Sequence, residues 1–244
     1  MAAVLVTRPD PDNETTAATL RARGHEVLLA PVLRLEPIPF SPGNAADYGA
    51  VIVTSANALR AVAPQLKNHP LLKLPLFAVG EQTAAAARRA GFVAVISADG
   101  DAQALRECVV RGIRAAPAAG ASPLLYLAGA DVSRDLAGEL GARGIEVVTR
   151  TTYRMVPIAR LPRDVCEAFA ASRIEAVLHY STRSARAFLE AARAAGVEIA
   201  ALAIPQCCIS AAVAEVLREA GAARVAVAAS PNEEALLTAL SRSI

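Results

Sequence analysis

The chain repeats one pattern of strands, helices and turns, and this internal duplication constrains its fold more than any other feature. The segment VLVTRP from Val4 corresponds to LLYLAG from Leu124, and GHEVLLAPV from Gly24 corresponds to GIEVVTRTT from Gly144. Further along, VIVTSANALRAV corresponds to VLHYSTRSARAF, and the order of the matches never reverses. A duplicated unit whose loops have since changed length gives such a series, so we predict two similar lobes.

Each repeat alternates short, β-branched runs with amphipathic helical segments. Near-continuous apolar strands between helices are typical of a parallel sheet that is covered on both faces. Hydrophobic residues make up 54% of the chain and charged residues 20%, which is enough apolar content for two such cores. We therefore predict an α/β fold of two doubly wound, parallel-sheet lobes of the flavodoxin-like type.

Two proline-containing stretches interrupt the pattern at equivalent points of the two repeats. They are LRLEPIPFSP and TYRMVPIARLP, and each follows the second strand of its repeat. Proline lacks the N–H that a central strand needs, so these stretches belong at a sheet edge or in a linker. Two arrangements stay open from the pattern alone: consecutive domains that meet near residues 115–122, or lobes that exchange segments through the two stretches.

Composition excludes several classes of function. The net charge of +2 and the absence of tryptophan argue against a nucleic-acid partner. The first residues lack the features of a signal peptide, and no later run of about 20 apolar residues could span a membrane, so we expect a cytoplasmic protein. The four cysteines and three histidines have no ligand spacing, so we expect no metal site.

Polar residues at the strand ends are the best candidates for a binding site. Ligands of open α/β sheets bind beyond the carboxyl ends of the strands, where loops lead into helix starts, and helix-start amides suit carboxylates or phosphates. Each Ser or Thr at these positions is equally explained as an ordinary N-cap. The candidate substrate-binding residues found in this way are Thr7, Arg8, Ser55, Ala56, Asn57, Gly80, Thr83, Gly129, Ser181, Thr182 and Ser210.

The usual catalytic motifs are missing from this set. The chain has no GxGxxG, no GxxxxGK[ST] and no GxSxG, so we expect no dinucleotide, no phosphate loop, no serine nucleophile and no cofactor. Two ligand-facing lobes without such motifs indicate either a binding protein or an enzyme that works mainly by positioning a reactive substrate.

An ordered series of segments resembles the uroporphyrinogen-III synthase family along essentially the whole chain. The series is VLVTRP, GHEVLLAPVLRLEP, DYGAVIVTSANALRAV, FAVGEQTAAAARRAGF and LLYLAGADVSRDLAGELGARGIEVVTRTTYRMVP. The resemblance implies lobes that exchange segments and a two-stranded antiparallel linker. The implied limits are 1–35 plus 160–244 for lobe 1, 40–152 for lobe 2, and 33–39 and 153–159 for the linker strands.

The resemblance also implies a reaction. The expected enzyme is a cofactor-independent lyase that cyclises hydroxymethylbilane, a linear tetrapyrrole, and inverts its ring D through a spiro intermediate. A two-lobed binding or sensory protein for an anionic small molecule, and another cofactor-free transferase or lyase, are the alternatives. The mixed charge of the chain favours a monomer.

The resemblance also implies roles for individual residues, some of them more directly than others. Tyr153, in TTYRMVP, matches a tyrosine proposed to assist departure of the substrate hydroxyl, a role that a phenol can fill by donating a proton. Thr83 matches a hydroxyl residue that lines the family's cleft. Ser55 and Ser181 match serines at strand ends.

The expected site also includes three arginines, and at one turn the chain departs from the family pattern. Arg8, Arg134 and Arg183 are expected to assist as cations that bind the substrate's carboxylates. Around Ser210 the chain lacks the Gly-x-T-T-A-like turn of the family, and two hydroxyls are missing there. Ser210 or backbone amides would have to replace them.

Overall fold

The computed structural model describes residues 2–132 and 134–244, with residues 117 and 118 described by their backbone alone. The strands are β1 (Ala3–Val6), β2 (Glu26–Leu29), β3 (Leu33–Pro37), β4 (Ala50–Val53), β5 (Leu76–Ala78), β6 (Val95–Ser97), β7 (Leu124–Gly129), β8 (Val147–Pro157), β9 (Ala176–His179), β10 (Gln206–Cys208) and β11 (Val225–Val227). The helices are α1 (Asp12–Ala22), α2 (Ala56–Leu66), α3 (Glu81–Arg89), α4 (Ala102–Ala115), α5 (Leu136–Gly141), α6 (Arg163–Ala170), α7 (Thr182–Ala194), α8 (Glu198–Ala203), α9 (Ala211–Glu219) and α10 (Glu233–Ser241).

The chain divides into two compact units, one of which is made from both ends of the described chain. Unit 1 comprises the residues up to Arg34 together with Val156–Ile244, and unit 2 comprises Leu35–Met155. The strands follow this division, since β1 and β2 share a sheet with β9, β10 and β11. This pairing excludes the arrangement of two consecutive domains.

The sheets of the two units have the same strand order. Sheet A of unit 1 runs β11-β10-β9-β1-β2, and sheet B of unit 2 runs β3-β8-β7-β4-β5-β6. Within each sheet the second strand of one repeat lies beside the first, and the third, fourth and fifth strands of the other repeat follow on the other side, which is the flavodoxin-like order. The strand pairs of both orders are parallel, apart from the added strand β3. The predicted fold class is therefore confirmed.

Helices cover both faces of each sheet, which is what the apolar strands require. In unit 1, Leu20 of α1 and Leu236 of α10 pack on one face with Val4, while α7 and α9 cover the other. In unit 2, α2 and α3 cover the face that carries Val51 and Val53. The opposite face, which carries Ile52, packs against α4 and α5.

The proline-containing stretches form the neighbouring strands β3 and β8. The N–H of Ile38 donates to Thr152 O at 2.8 Å, and the N–H of Ile158 donates to Val32 O at 2.9 Å. The partners ascend on one strand as they descend on the other, so the two strands run in opposite directions. The limits of the predicted lobes and the linker role of these strands stay a prediction.

Two features of these segments differ from the sequence pattern. The second strand of the second repeat and the following proline stretch form one continuous strand, β8, because β8 has partners on both sides, β7 and β3. A helix, α6, occupies the connector that follows, where the sequence pattern predicted no helix. Val165 and Phe169 of α6 are buried, so the helix is amphipathic.

Candidate functional site

A tyrosine hydroxyl lies at the carboxyl edge of sheet B, directly after the strand ends. Thr54 follows β4, and its Oγ1 lies 3.0 Å from the hydroxyl oxygen of Tyr126 on β7. Tyr126 is only 3% exposed, and burial raises its pKa above the ordinary value. The nearby Tyr153 adds to this shift.

Tyr153 is half-buried on β8, and its ring lies against Gly129 at the end of β7. A methyl group built on Gly129 would lie 2.8 Å from Cζ and 2.9 Å from the hydroxyl oxygen of Tyr153. The backbone carbonyl of Tyr153 accepts a 2.8 Å hydrogen bond from the N–H of Ala130. The structure thus brings the predicted Tyr153 and Gly129 together at the strand ends.

The start of α2 is capped by side chains of the same segment. Ser55 is the N-cap, and its Oγ accepts from the N–H of Asn57 at 3.2 Å. The amide of Asn57 accepts from Arg60 at 2.6 Å and donates to the sulfur of Met155 at 3.7 Å. Ala56 is the first residue of the helix. Ser55 and Asn57 therefore have structural partners in addition to any ligand.

The start of α3 is open by comparison. Its N-cap is Gly80, which has an extended backbone at φ −162°. A methyl group on Gly80 would meet no described atom within 4 Å. Thr83, in the first turn, is buried. Because Gly80 has no side chain that could cap α3, the first-turn amides have no N-cap acceptor and carry the partial positive charge of a helix start.

Arg134 is held by a surface network of charges. Its guanidinium contacts Glu139, which Arg106 also contacts at 2.8 Å. These bonds lower the pKa of Glu139, with the hydrogen bond from Arg134 as the main cause. Arg134 also lines a surface pocket of about 320 Å³ together with Tyr126 and Thr149. The structure therefore places Arg134 beside a carboxylate partner of its own.

In unit 1, Thr7 and Arg8 end up in interactions of the fold. The Thr7 side chain is fully buried, and its hydroxyl donates to Leu178 O at 2.7 Å, which holds β1 to β9. Arg8 lies 3.4 Å from Glu233 of α10 and 4.8 Å from the ring centre of Tyr180. Arg8 therefore has a carboxylate partner before any substrate binds.

Tyr180, directly after β9, is the third tyrosine near a strand end, and the sequence patterns identified neither it nor Tyr126. Its hydroxyl lies 3.5 Å from Glu233, and burial raises its pKa to about 12. The available signal was a tyrosine in or directly after a mainly apolar strand, as in LLYL and VLHY. A phenol at such a position is buried at the ring and polar at the tip, which suits a strand end.

The remaining candidates of unit 1 lie at two helix starts. Ser181 forms a capping box with Ser184, whose N–H donates to Ser181 Oγ at 3.0 Å, and Thr182 and Arg183 open α7. Ser210 precedes α9, the helix equivalent to α3, and among the described residues no first-turn amide donates to its hydroxyl. Of these four helix starts, those of α3 and α9 have no side-chain cap, and those of α2 and α7 are capped.

The described part of the chain lacks two further features. Within residues 2–132 and 134–244, no group of three or more His, Cys, Asp or Glu is placed to hold a metal ion. No helix in these ranges is both long and apolar enough to cross a membrane.

Fold and site together define a doubly wound α/β protein with polar groups and helix starts at the carboxyl edges of two equivalent sheets. The family model described as uroporphyrinogen-III synthase HemD matches residues 14–238. The chain belongs to this family. Its members are cofactor-independent, cyclising lyases of tetrapyrrole biosynthesis, and the alternative of a binding or sensory protein is not favoured.

Solved structures agree with this fold. A uroporphyrinogen-III synthetase from Helicobacter pylori 26695 is 20% identical with a TM-score of 0.65, and the match covers 99% of this chain and 100% of that chain. A mutant uroporphyrinogen III synthase from Thermus thermophilus is 18% identical with a TM-score of 0.56, covering 100% and 98% of the two chains. No curated protein matches the chain in the comparison of sequences.

Proposed function

We propose that this chain cyclises hydroxymethylbilane with inversion of ring D, and that Tyr153 assists departure of the terminal hydroxyl. The observation that carries the proposal is the position of the Tyr153 phenol over Gly129, at the carboxyl edge of a parallel sheet. Ligands of this fold class bind at that edge. A phenol there can give its proton to a departing hydroxyl, which leaves as water.

The rest of the reaction needs direction more than reagents. Departure of the hydroxyl leaves an azafulvene cation, and the substituted carbon of ring D attacks it to form a spiro intermediate. This intermediate fragments and recloses in the inverted sense. Hydroxymethylbilane also closes unaided, without inversion, so the enzyme's contribution is to fold the substrate and select the attacking carbon.

The substrate's acetate and propionate groups are proposed to meet the open helix starts of α3 and α9. Support comes from the free space at Gly80 and the uncapped first turn after Ser210. The capped starts at Ser55 and Ser181 have amides that already serve their own side chains. Carboxylates accept well from helix-start N–H groups, because hydrogen bonds with a charged partner are the stronger ones.

Arginines take a smaller part in this proposal than the sequence suggested. Arg8 and Arg134 already pair with Glu233 and Glu139. They neutralise charge locally, and a substrate carboxylate would have to share them. The substrate-binding role of Thr7 is similarly limited by the complete burial of its side chain. We expect the monomeric state to hold in solution, where sizing of the purified chain tests it.

One assay tests the proposed function directly. Freshly made hydroxymethylbilane is supplied to the purified chain, and uroporphyrin isomers are resolved after oxidation. Isomer III in excess over the spontaneous isomer I supports the synthase. Isomer I alone, at the uncatalysed rate, overturns it.

A further inference from the structure

Tyr153 lies on the opposite face of sheet B from the one that its position in the strand predicts. Side chains alternate along a strand, so residues an even number of positions apart share a face. Val147, at the start of β8, packs against the face that carries Ile52 and Tyr126. Tyr153, an even number of positions later, packs against the face that carries Val53 and Leu127.

The cause is an extra residue in β8. Ala128 of β7 pairs with Thr151, but the next residue, Gly129, pairs with Tyr153, so Thr152 stands between two rungs of the ladder. Such a β-bulge places two residues of one strand opposite one of its neighbour. A one-residue shift transfers all later side chains to the other face, which moves Tyr153.

Thr152 anchors the bulge. Its side chain is fully buried, and its hydroxyl donates to the carbonyl of Ala128 at 3.1 Å. On the far side of the bulge, the N–H of Ala130 donates to Tyr153 O at 2.8 Å. In a regular ladder the carbonyl of Ala128 would accept from a backbone N–H of the neighbouring strand. Here it accepts from the hydroxyl of Thr152, which stabilises the irregular register.

Gly129 supplies the space into which the bulge directs the ring. A methyl group there would lie 2.8 Å from Cζ, 2.9 Å from the hydroxyl oxygen and 3.1 Å from Cε1 of Tyr153. These distances are too short for a carbon contact, so any side chain at Gly129 displaces the phenol. The ring position therefore depends on the absence of a side chain at Gly129.

We propose that Thr152 and Gly129 are positioning residues that determine where the phenol of Tyr153 lies. Thr152 stabilises the bulge that places Tyr153 on its face of sheet B, and Gly129 leaves the space that the ring occupies. This inference rests on the proposed role of Tyr153 for its effect on the reaction. It also gives Gly129 a purpose other than direct contact with substrate.

The first test reads the position of Tyr153 without substrate. The chain has four tyrosines, so 3-fluorotyrosine labelling gives four ¹⁹F NMR signals, and the one lost in Tyr153→Phe belongs to Tyr153. Gly129→Ala and Thr152→Val are expected to shift that signal. Thr152→Ser keeps the hydroxyl and is expected to leave it in place. Unshifted Tyr153 signals in both Gly129→Ala and Thr152→Val overturn the inference.

Matched controls separate this effect from general disturbance. Gly141→Ala adds the same methyl group in α5, where no described atom lies within 4 Å. Thr151→Val makes the same change at the exposed neighbour of Thr152. Neither is expected to shift the signal of Tyr153 or to change turnover, and a shift as large as that of Gly129→Ala in either control contradicts the inference.

The second test is a double-mutant cycle in the isomer assay. Gly129→Ala and Thr152→Val are each expected to lower kcat about ten-fold or more, because a misplaced catalytic group is costly. Combined with Tyr153→Phe, neither is expected to lower kcat further, since both act through the phenol. Losses that multiply independently overturn the inference. A Tyr153→Phe variant with unchanged rate and isomer ratio instead removes the proposed role of Tyr153, while the NMR test still decides its positioning.

Discussion

Tyr153 is a candidate catalytic residue because of the family resemblance. Its position depends on Thr152 and Gly129, which no sequence motif identifies. The hydroxyls predicted around it divide into two groups in the structure. Ser55 and Ser181 cap their helices, whereas Gly80 and Ser210 leave helix starts open. Capping and ligand binding use the same residue types at the same positions. Sequence therefore predicts where the site lies and cannot separate the two uses.

Tyr153→Phe is expected to lower turnover while the fold stays intact. The change removes only the hydroxyl from a half-buried ring, and loss of a general acid costs on the order of 10²-fold or more in rate. Rate and isomer ratio in the hydroxymethylbilane assay measure the loss, and the melting temperature monitors the fold. An unchanged rate and isomer ratio would sink this role.

Substitutions of Gly80 test whether the uncapped start of α3 binds a carboxylate of the substrate. Gly80→Asn and Gly80→Asp both fit the extended backbone and free space at this position, and both cap the helix, which adds a few tenths of a kcal/mol of stability. Both compete with a substrate carboxylate for the amides of α3, and the Asp side chain also repels it. We expect KM to rise for Asn and to rise about ten-fold for Asp.

Denaturation curves and steady-state kinetics measure the two effects on the same preparations. An equal KM for the wild type, Gly80→Asn and Gly80→Asp would contradict the carboxylate site at α3. The opposite signs of the effects on stability and on binding distinguish a lost ligand contact from a damaged fold.

At the scale of elements, strands and helices follow from the sequence more fully than their registers do. The β-branched runs became strands, and Gly24 and Gly144 end their helices with φ of 83° and 77° as a left-handed turn requires. The bulge at Thr152 was not predictable, because it depends on how β7 pairs with β8. Helix α6 was missed because its apolar spacing is short and lies beside prolines.

A buried histidine in β9 makes the stability of unit 1 dependent on pH. His179 is fully buried, with Nε2 2.8 Å from Gln206 and no hydrogen-bond partner for Nδ1 among the described residues. Burial lowers its pKa to about 4 from an ordinary 6.5. Because the unfolded chain binds the proton more readily, stability is full above about pH 6.5 and falls as the pH drops toward 4.

The expected loss from His179 is about 2 kcal/mol between pH 7.5 and pH 5. Urea unfolding at the two pH values measures it, and His179→Asn should remove this part of the pH dependence. His69→Asn is the control, since His69 caps a turn through its side chain and asparagine can do the same. A variant at 179 whose pH dependence equals that of the wild type would refute the assignment.

At the scale of the whole molecule, the repeat predicted two equivalent sheets, and both have the expected order. The repeat alone could not show which strands share a sheet, because either pairing buries the same apolar residues. Exchange makes unit 1 depend on both ends of the chain. Leu236, Leu237 and Leu240 of α10 pack beside Val4 of β1.

A chain that stops at residue 230 is therefore expected to lose unit 1 and keep unit 2. Removing three buried leucines costs about 5 kcal/mol or more, which is comparable with the whole stability of many domains. Hydrogen exchange should show lost protection in β1, β2 and β9 and retained protection in β4, β5 and β7. A chain that stops at residue 242 keeps α10 and is the control. Equal loss of protection in both units would contradict the division.

Exchange of segments also has a consequence during synthesis on the ribosome. The strand β1 lies inside sheet A, between β2 and β9, yet β9 emerges only after all of unit 2 has been made. At usual translation speeds this delay is on the order of ten seconds, long compared with the folding of a small domain. Unit 2 can thus fold first while the apolar β1 is still exposed, so the nascent chain offers chaperones a target that persists until β9 and the strands after it have been made.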